Sequence, residues 1–168
     1  MILEKKLALN GKPNNIFINC DGTRLAIIDL ANLLTFYKLD VDGNDEVLPF
    51  EKKDVWNFKW ASENSLNCTF LEKYRLQVMT DMKIETPITT DAYIADFSEM
   101  VIKTINIEAI TTVFDGDDID LDEYIYNVES PSLVEIKTLL TAKKFEDASK
   151  KIHENPQVHL WKLCAEKA

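Results

Sequence analysis

The side chains in this sequence best suited to chemistry are its carboxylates. Asp40, Asp42, Asn44 and Asp45 form one run, and Asp115, Asp117 and Asp118 another. Both offer the hard oxygen ligands that a calcium ion prefers. Neither keeps the spacing of a calcium loop, since Gly43 falls fourth in its run instead of sixth and Leu48-Pro49 follows where ligands belong. The first run reads as a turn and the second as a linker, with a small calcium-binding protein as the alternative. Acid–base work by paired carboxylates needs a pocket that shifts their pKa values, whereas these acids are massed in loops. The two histidines, His153 and His159, fall in a helical tail with no H-E-x-x-H zinc arrangement and no nucleophile motif beside them. They read as helix-surface residues. No glycine-rich phosphate cradle occurs. The expectation is a chain that is not an enzyme, with no catalytic, cofactor or metal residues and no binding residue that can be singled out.

The elements that would position a binding surface are legible from periodicity. Asn15–Cys20, Arg24–Leu30 and Leu33–Leu39 are short runs rich in Ile, Leu and Phe, joined by Asp21-Gly22 and by Asp29 to Asn32, and closed by the polar stretch 40–45. They predict three antiparallel strands. Trp56, Phe58 and Trp60 alternate with Asn57 and Lys59, which predicts a half-buried strand with the three aromatics on one face, packed as core. Cys68–Leu71 and Arg75–Thr80 continue that second meander, Tyr93–Phe97 supplies its fourth strand, and Val101–Ile107 begins or closes another sheet. A unit of about 40 to 45 residues is one propeller blade, although short strands at regular spacing fit an open sandwich as well.

From Thr112 to Tyr126 the composition turns acidic, which marks a boundary. Beyond it the period becomes helical. Ser132 with Glu135 reads as a capping box, and Leu133, Ile136, Leu139 and Leu140 share a face. Phe145, Ala148 and Ile152 repeat the spacing, and Asn155-Pro156 ends that helix and starts a third with Leu160, Trp161, Leu163 and Cys164, Trp161 lying between helices. Tandem short amphipathic helices bury their faces only against neighbours, so the expected organisation is a partial β-propeller over 1–111, an acidic linker with a strand or loop over 112–131, and the start of an α-helical repeat over 132–168.

Composition narrows the partners. With 19 Lys and Arg against 29 Asp and Glu, the net charge is −10, which argues against nucleic acid and against anionic headgroups. Cys20, Cys68 and Cys164 are too few and too scattered for a disulfide framework or a zinc site, and a reducing compartment is the default. The start of the chain lacks the apolar run of a secretory signal. The most apolar stretch, Leu25–Leu34, falls well short of the roughly 20 residues that span a bilayer, so no transmembrane segment is expected.

Three strings carry a family resemblance: Asn19-Cys20-Asp21-Gly22-Thr23-Arg24-Leu25-Ala26-Ile27-Ile28-Asp29, then Lys53-Asp54-Val55-Trp56-Asn57-Phe58-Lys59-Trp60-Ala61, and Glu154-Asn155-Pro156 through Leu160-Trp161-Lys162-Leu163-Cys164-Ala165-Glu166. Through them the chain resembles, nearly end to end, the family of the WD-repeat subunit of intraflagellar transport complex A called WD-repeat protein thirty-five in animals. The resemblance implies the last WD-repeat blades of a second propeller followed by the first helices of a TPR-like solenoid. It further implies a non-enzymatic protein-binding scaffold without cofactors, whose partners are the other complex A subunits and ciliary membrane-protein cargo. The setting implied is retrograde transport and cilium assembly, in the cilium, axoneme and basal body and in the cytoplasm. Vesicle-coat subunits share the propeller-then-solenoid plan and stand as the alternative. By this resemblance the chain lacks the first propeller and most of the solenoid.

Overall fold

The computed structural model describes residues 9, 11–40, 44–106, 111 and 124–167. Three antiparallel sheets follow one another along the chain, and three helices follow the sheets. The first sheet runs β1 (Pro13–Ile18), β2 (Arg24–Asp29), β3 (Leu34–Lys38) and β4 (Glu46–Lys52), each hydrogen-bonded to the next. Its turns are built from side chains that imitate backbone. Asp21 Oδ1 accepts from the Thr23 amide (3.0 Å) beside Gly22 at φ 74, and Asp29 Oδ1 accepts from the Ala31 and Leu33 amides (2.8 Å each).

The second sheet holds β5 (Val55–Trp60), β6 (Asn67–Glu72) and β7 (Arg75–Thr80), and β7 then pairs with two fragments, β8 (Lys83–Ile84) and β9 (Ile88–Thr89). Pro87 stands between the fragments and cannot donate to a ladder. The third sheet is β10 (Ala92–Ser98), β11 (Val101–Asn106) and β12 (Ile125–Glu129). Two corrections to the sequence reading follow. Tyr93–Phe97 opens the third sheet instead of closing the second, and a fourth strand, β4, lies beyond the polar turn where none was expected.

The sheets pack face to face as propeller blades. Pairing puts Ala26, Ile28, Leu34 and Phe36 on one face of the first sheet, where they meet Val55, Phe58, Cys68, Phe70 and Met79 of the second. Phe17, Phe36, Phe58 and Trp60 form an aromatic cluster there with centroids 5.1–5.9 Å apart, in tilted and edge-on geometries. Trp60 Nε1 donates to the Phe17 carbonyl across the blades (3.1 Å), and Arg24–Asp81 (2.7 Å) and Lys52–Glu72 (3.0 Å) are cross-blade ion pairs. A second core of Ala61, Leu71, Leu76, Val78, Ile94, Phe97 and Ile102 joins the second and third blades.

The helices are α1 (Pro131–Thr141), α2 (Phe145–Glu154) and α3 (Val158–Lys167). The N-cap of α1 is Ser130, whose Oγ accepts from the Leu133 amide, and Pro131 takes the first turn, where its missing N–H is not needed. The expected cap, Ser132, instead donates its amide to Glu85 Oε2 (2.9 Å). At the other end Lys143 adopts φ 58, with its amide on the Leu140 carbonyl and that of Lys144 on the Leu139 carbonyl, a left-handed cap usually given to glycine. Asn155 closes α2, and α3 starts only at Val158, with the Gln157 carbonyl accepting from Leu160 and Trp161. The helices share a core of Leu133, Ile136, Leu140, Ala148, Ile152 and Leu160, and Met100, from the turn between β10 and β11, is buried within it.

Candidate interaction surface

The expected aromatic face of β5 is split by one backbone irregularity. Phe58 is 1% exposed and Trp60 is partly buried, but a bulge between Val55 and Asn57 throws Trp56 out of register and leaves it 43% exposed. A bulge adds a residue and redirects the side chain it carries. The indole is fixed in that outward position, since Nε1 donates to the Lys73 carbonyl (2.9 Å) and the ring packs 6.2 Å from Tyr93, itself 41% exposed. Tyr74, next to Lys73, is 73% exposed. Trp56 and Tyr93 open the first strands of adjacent blades, so together with Tyr74 they make a preorganised aromatic surface of the composition that dominates protein interfaces. No residue motif announces it. The signal available in sequence is the Val-Trp-Asn start of a strand whose later residues alternate correctly.

At the junction of blades and helices, Asn155 Nδ2 reaches Asn67 Oδ1 and Thr80 Oγ1, and Asn64 Nδ2 reaches Asn155 Oδ1, all at 3.4 Å. Beside this clasp opens a cleft of about 220 Å³ with an apolar floor of Met100, Ile136 and Leu160 and a rim that includes Lys83, Lys151 and Glu154. Glu135 and Glu154 beside Lys151 hold its ammonium above the ordinary lysine range. On the other side of the junction, Gln157 is 6% exposed with neither amide atom paired, and burial pushes the His159 imidazole down, opposed by the charges of Glu99 and Glu63.

The remaining candidates are dispersed. His153 lies on the helix surface with Nδ1 on the Ser149 carbonyl (2.7 Å) and Trp161 edge-on at 4.9 Å. Trp161 is 39% exposed, so it borders an open groove with Phe145 and Cys164 instead of filling the space between helices. Asp45 Oδ1 accepts from the Asp40 amide (2.9 Å), and Asn44 is exposed. Asp42, Asp115, Asp117 and Asp118 lie outside the described residues. Cys68 is fully buried and its thiol is pushed far up by desolvation, while Cys20 is exposed.

With this geometry in view, the comparisons with known proteins are decisive. The family profile described as the WDR35 second beta-propeller matches residues 1–129. The chain is 36% identical over 174 aligned positions to the rat, mouse and human proteins named WD repeat-containing protein 35, an alignment covering 99% of this chain. The chain belongs to the WD repeat-containing protein 35 family. It spans 14–15% of the length of these relatives. A crystal structure of Kluyvelomyces marxianus Hsv2 resembles 56% of this chain and 32% of its own at a TM-score of 0.39 and 16% identity. By the family profile the sheets are propeller blades, and three helices follow them. No helix among the described residues is long and apolar enough to cross a membrane.

Proposed function

We propose that this chain is a non-enzymatic protein-binding scaffold of intraflagellar transport complex A, supporting retrograde ciliary transport, cilium assembly and the delivery of membrane proteins to cilia. The single observation that carries this reading is 36% identity over an alignment that covers 99% of the chain, blades and helices together. In this reading a partial propeller over 1–111 passes through an acidic linker with a strand or loop over 112–131 into the start of a helical repeat over 132–168. The partners are other complex A subunits and ciliary membrane cargo, and the sites of action are the cilium, axoneme, basal body and cytoplasm. The exposed Trp56–Tyr93 surface supports a role in holding another protein, because a fixed, half-exposed indole loses little freedom on contact.

The test is affinity purification of the tagged 168-residue chain from ciliated cells with mass spectrometry of what stays bound. Complex A subunits are expected, and their recovery falls several-fold with Trp56→Ala. Recovery of chaperones or coat subunits in their place would overturn the assignment.

A further inference from the structure

Where α3 starts, buried polar side chains meet two carboxylates from the blades. Gln157, the residue before α3, is 6% exposed, and neither its Oε1 nor its Nε2 makes a hydrogen bond among the described residues. The same holds for Nε2 of His159. An unpaired polar atom in the interior is costly, so such a group gains most from a partner that reaches it. Across from it, Glu63 of the β5–β6 loop accepts the Glu99 amide on Oε1 (2.6 Å) and the Ser62 hydroxyl on Oε2 (2.8 Å), which ties that loop to the turn between β10 and β11. Glu63, Glu99, Pro156, Gln157, His159 and Lys162 line a cavity of about 300 Å³ between these elements. The Glu99 turn lies at the end of the third sheet opposite Asn106 and Ile125, so the cavity is remote from that far end.

The chemistry of the lining selects a donor-rich cation. Gln157 Oε1, the carboxylates of Glu63 and Glu99, and Nε2 of a neutral His159 protonated on Nδ1 are all acceptors. Burial keeps the imidazole neutral, while the charges it senses are those of Glu99 and Glu63, so the field is negative there although Lys162 stands at the rim. The volume is at the lower end of ligand sites and suits one side chain. A guanidinium presents five N–H donors in a flat fork, keeps its charge when partly desolvated, and is less strongly hydrated than a lysine ammonium.

We propose that the cavity between Gln157, His159, Glu63 and Glu99 receives the guanidinium of an arginine side chain carried by another protein. Gln157 turns about its side-chain torsions to bring Oε1 to the guanidinium and Nε2 to water, which satisfies both atoms. The two carboxylates hold the charge, and the surplus of acid in the chain as a whole favours the approach of a cation. The proposal does not depend on the ciliary assignment.

The test is titration of the full chain with a capped Gly-Arg-Gly peptide, followed by NMR of the Gln157 side-chain amide and the His159 imidazole. Both signals are expected to move and saturate together. The same peptide with citrulline, which keeps the shape and loses the charge, leaves them in place. Glu99→Gln, at an exposed position, weakens binding about tenfold without moving the urea midpoint. Gln157→Met keeps the length of the side chain and removes its polar atoms, so it abolishes binding while the thermal midpoint holds or rises. Equal binding of a Gly-Lys-Gly peptide would reduce the effect to general attraction by an acidic chain and overturn the proposal. Signals that stay in place at saturating arginine peptide would leave water as the occupant and overturn it too. Tighter binding of free arginine than of the capped peptide would overturn a protein as the source of the guanidinium.

Discussion

Phe58 and Trp56, two residues apart on one strand, have opposite tasks, and substitution separates them. Phe58 stands among Phe17, Phe36 and Trp60 at the first blade interface, so Phe58→Ala is expected to cost about 3–5 kcal/mol, a large part of the stability of a domain. Trp56→Ala removes a half-exposed ring, and its effect on stability is expected to stay near 0.5 kcal/mol. Urea unfolding followed by circular dichroism measures both. Alternation in the sequence identified Phe58 and Trp60 as core but placed Trp56 with them, because a bulge leaves no mark in a period-2 pattern. The same limit applies to His159, which looked like any helix-end histidine until the fold set it against the blades. Its folded pKa lies below the unfolded value, so the neutral form is favoured by folding. The stability this gives is intact above the unfolded pKa of about 6.5 and is lost as pH falls toward the folded value. His159→Gln is expected to flatten the dependence of the urea midpoint on pH across that window. An unchanged slope would place the titration elsewhere.

Elements with a strong period were legible and those without one were not. β2, β3, β6, β7 and all three helices follow directly from apolar spacing. β4 was missed because Pro49 and flanking charges are the marks of a turn as much as of an edge strand. β8 and β9 are two residues each, below what any pattern can reveal, and their absence from the reading let β10 be assigned to the wrong blade. The tight turns explain part of this. Asp81-Met82 and Glu99-Met100 both take positive φ without the Asn-Gly signature that marks such hairpins. The cap of α1 at Lys143 is another unannounced left-handed residue, and it yields a prediction: Lys143→Gly is expected to stabilise the chain by about 0.5–1 kcal/mol by relieving a conformation that L residues resist. A rise in thermal midpoint checks it, and a fall would mean that the lysine stem makes a packing contribution larger than the strain.

At the scale of the molecule, three blades and a helical cluster are held by separate cores that share few residues. Met100, fully buried at the tip of a hairpin, and Val101 beside it are apolar side chains that the blades lend to the helices. Met100→Ala is expected to cost about 2–5 kcal/mol and to show it unevenly. Amides of α1 to α3 lose hydrogen-exchange protection first while those of β5 to β7 keep theirs, and uniform loss would show that the two cores unfold as one. The change of period after the acidic stretch made the passage from sheet to helix visible in sequence. What no local pattern conveyed was the direction in which the helices fold back onto the blades, where Asn155 meets Asn64 and Asn67, 91 and 88 residues earlier in the chain, only after both parts are formed.

That clasp of amides and hydroxyls has a bearing on the solvent. The first blade is fastened to the second by Arg24–Asp81 and Lys52–Glu72, attractions that dissolved ions weaken. The helices are fastened to the blades by Met100 and uncharged asparagines, which dissolved ions hardly touch, and also by the Lys137–Glu129 ion pair and by Glu85 on the Ser132 amide, which they weaken. Raising the ionic strength therefore weakens the charged contacts at both joints and leaves each resting on its apolar part, the aromatic cluster between the blades and Met100 among the helices.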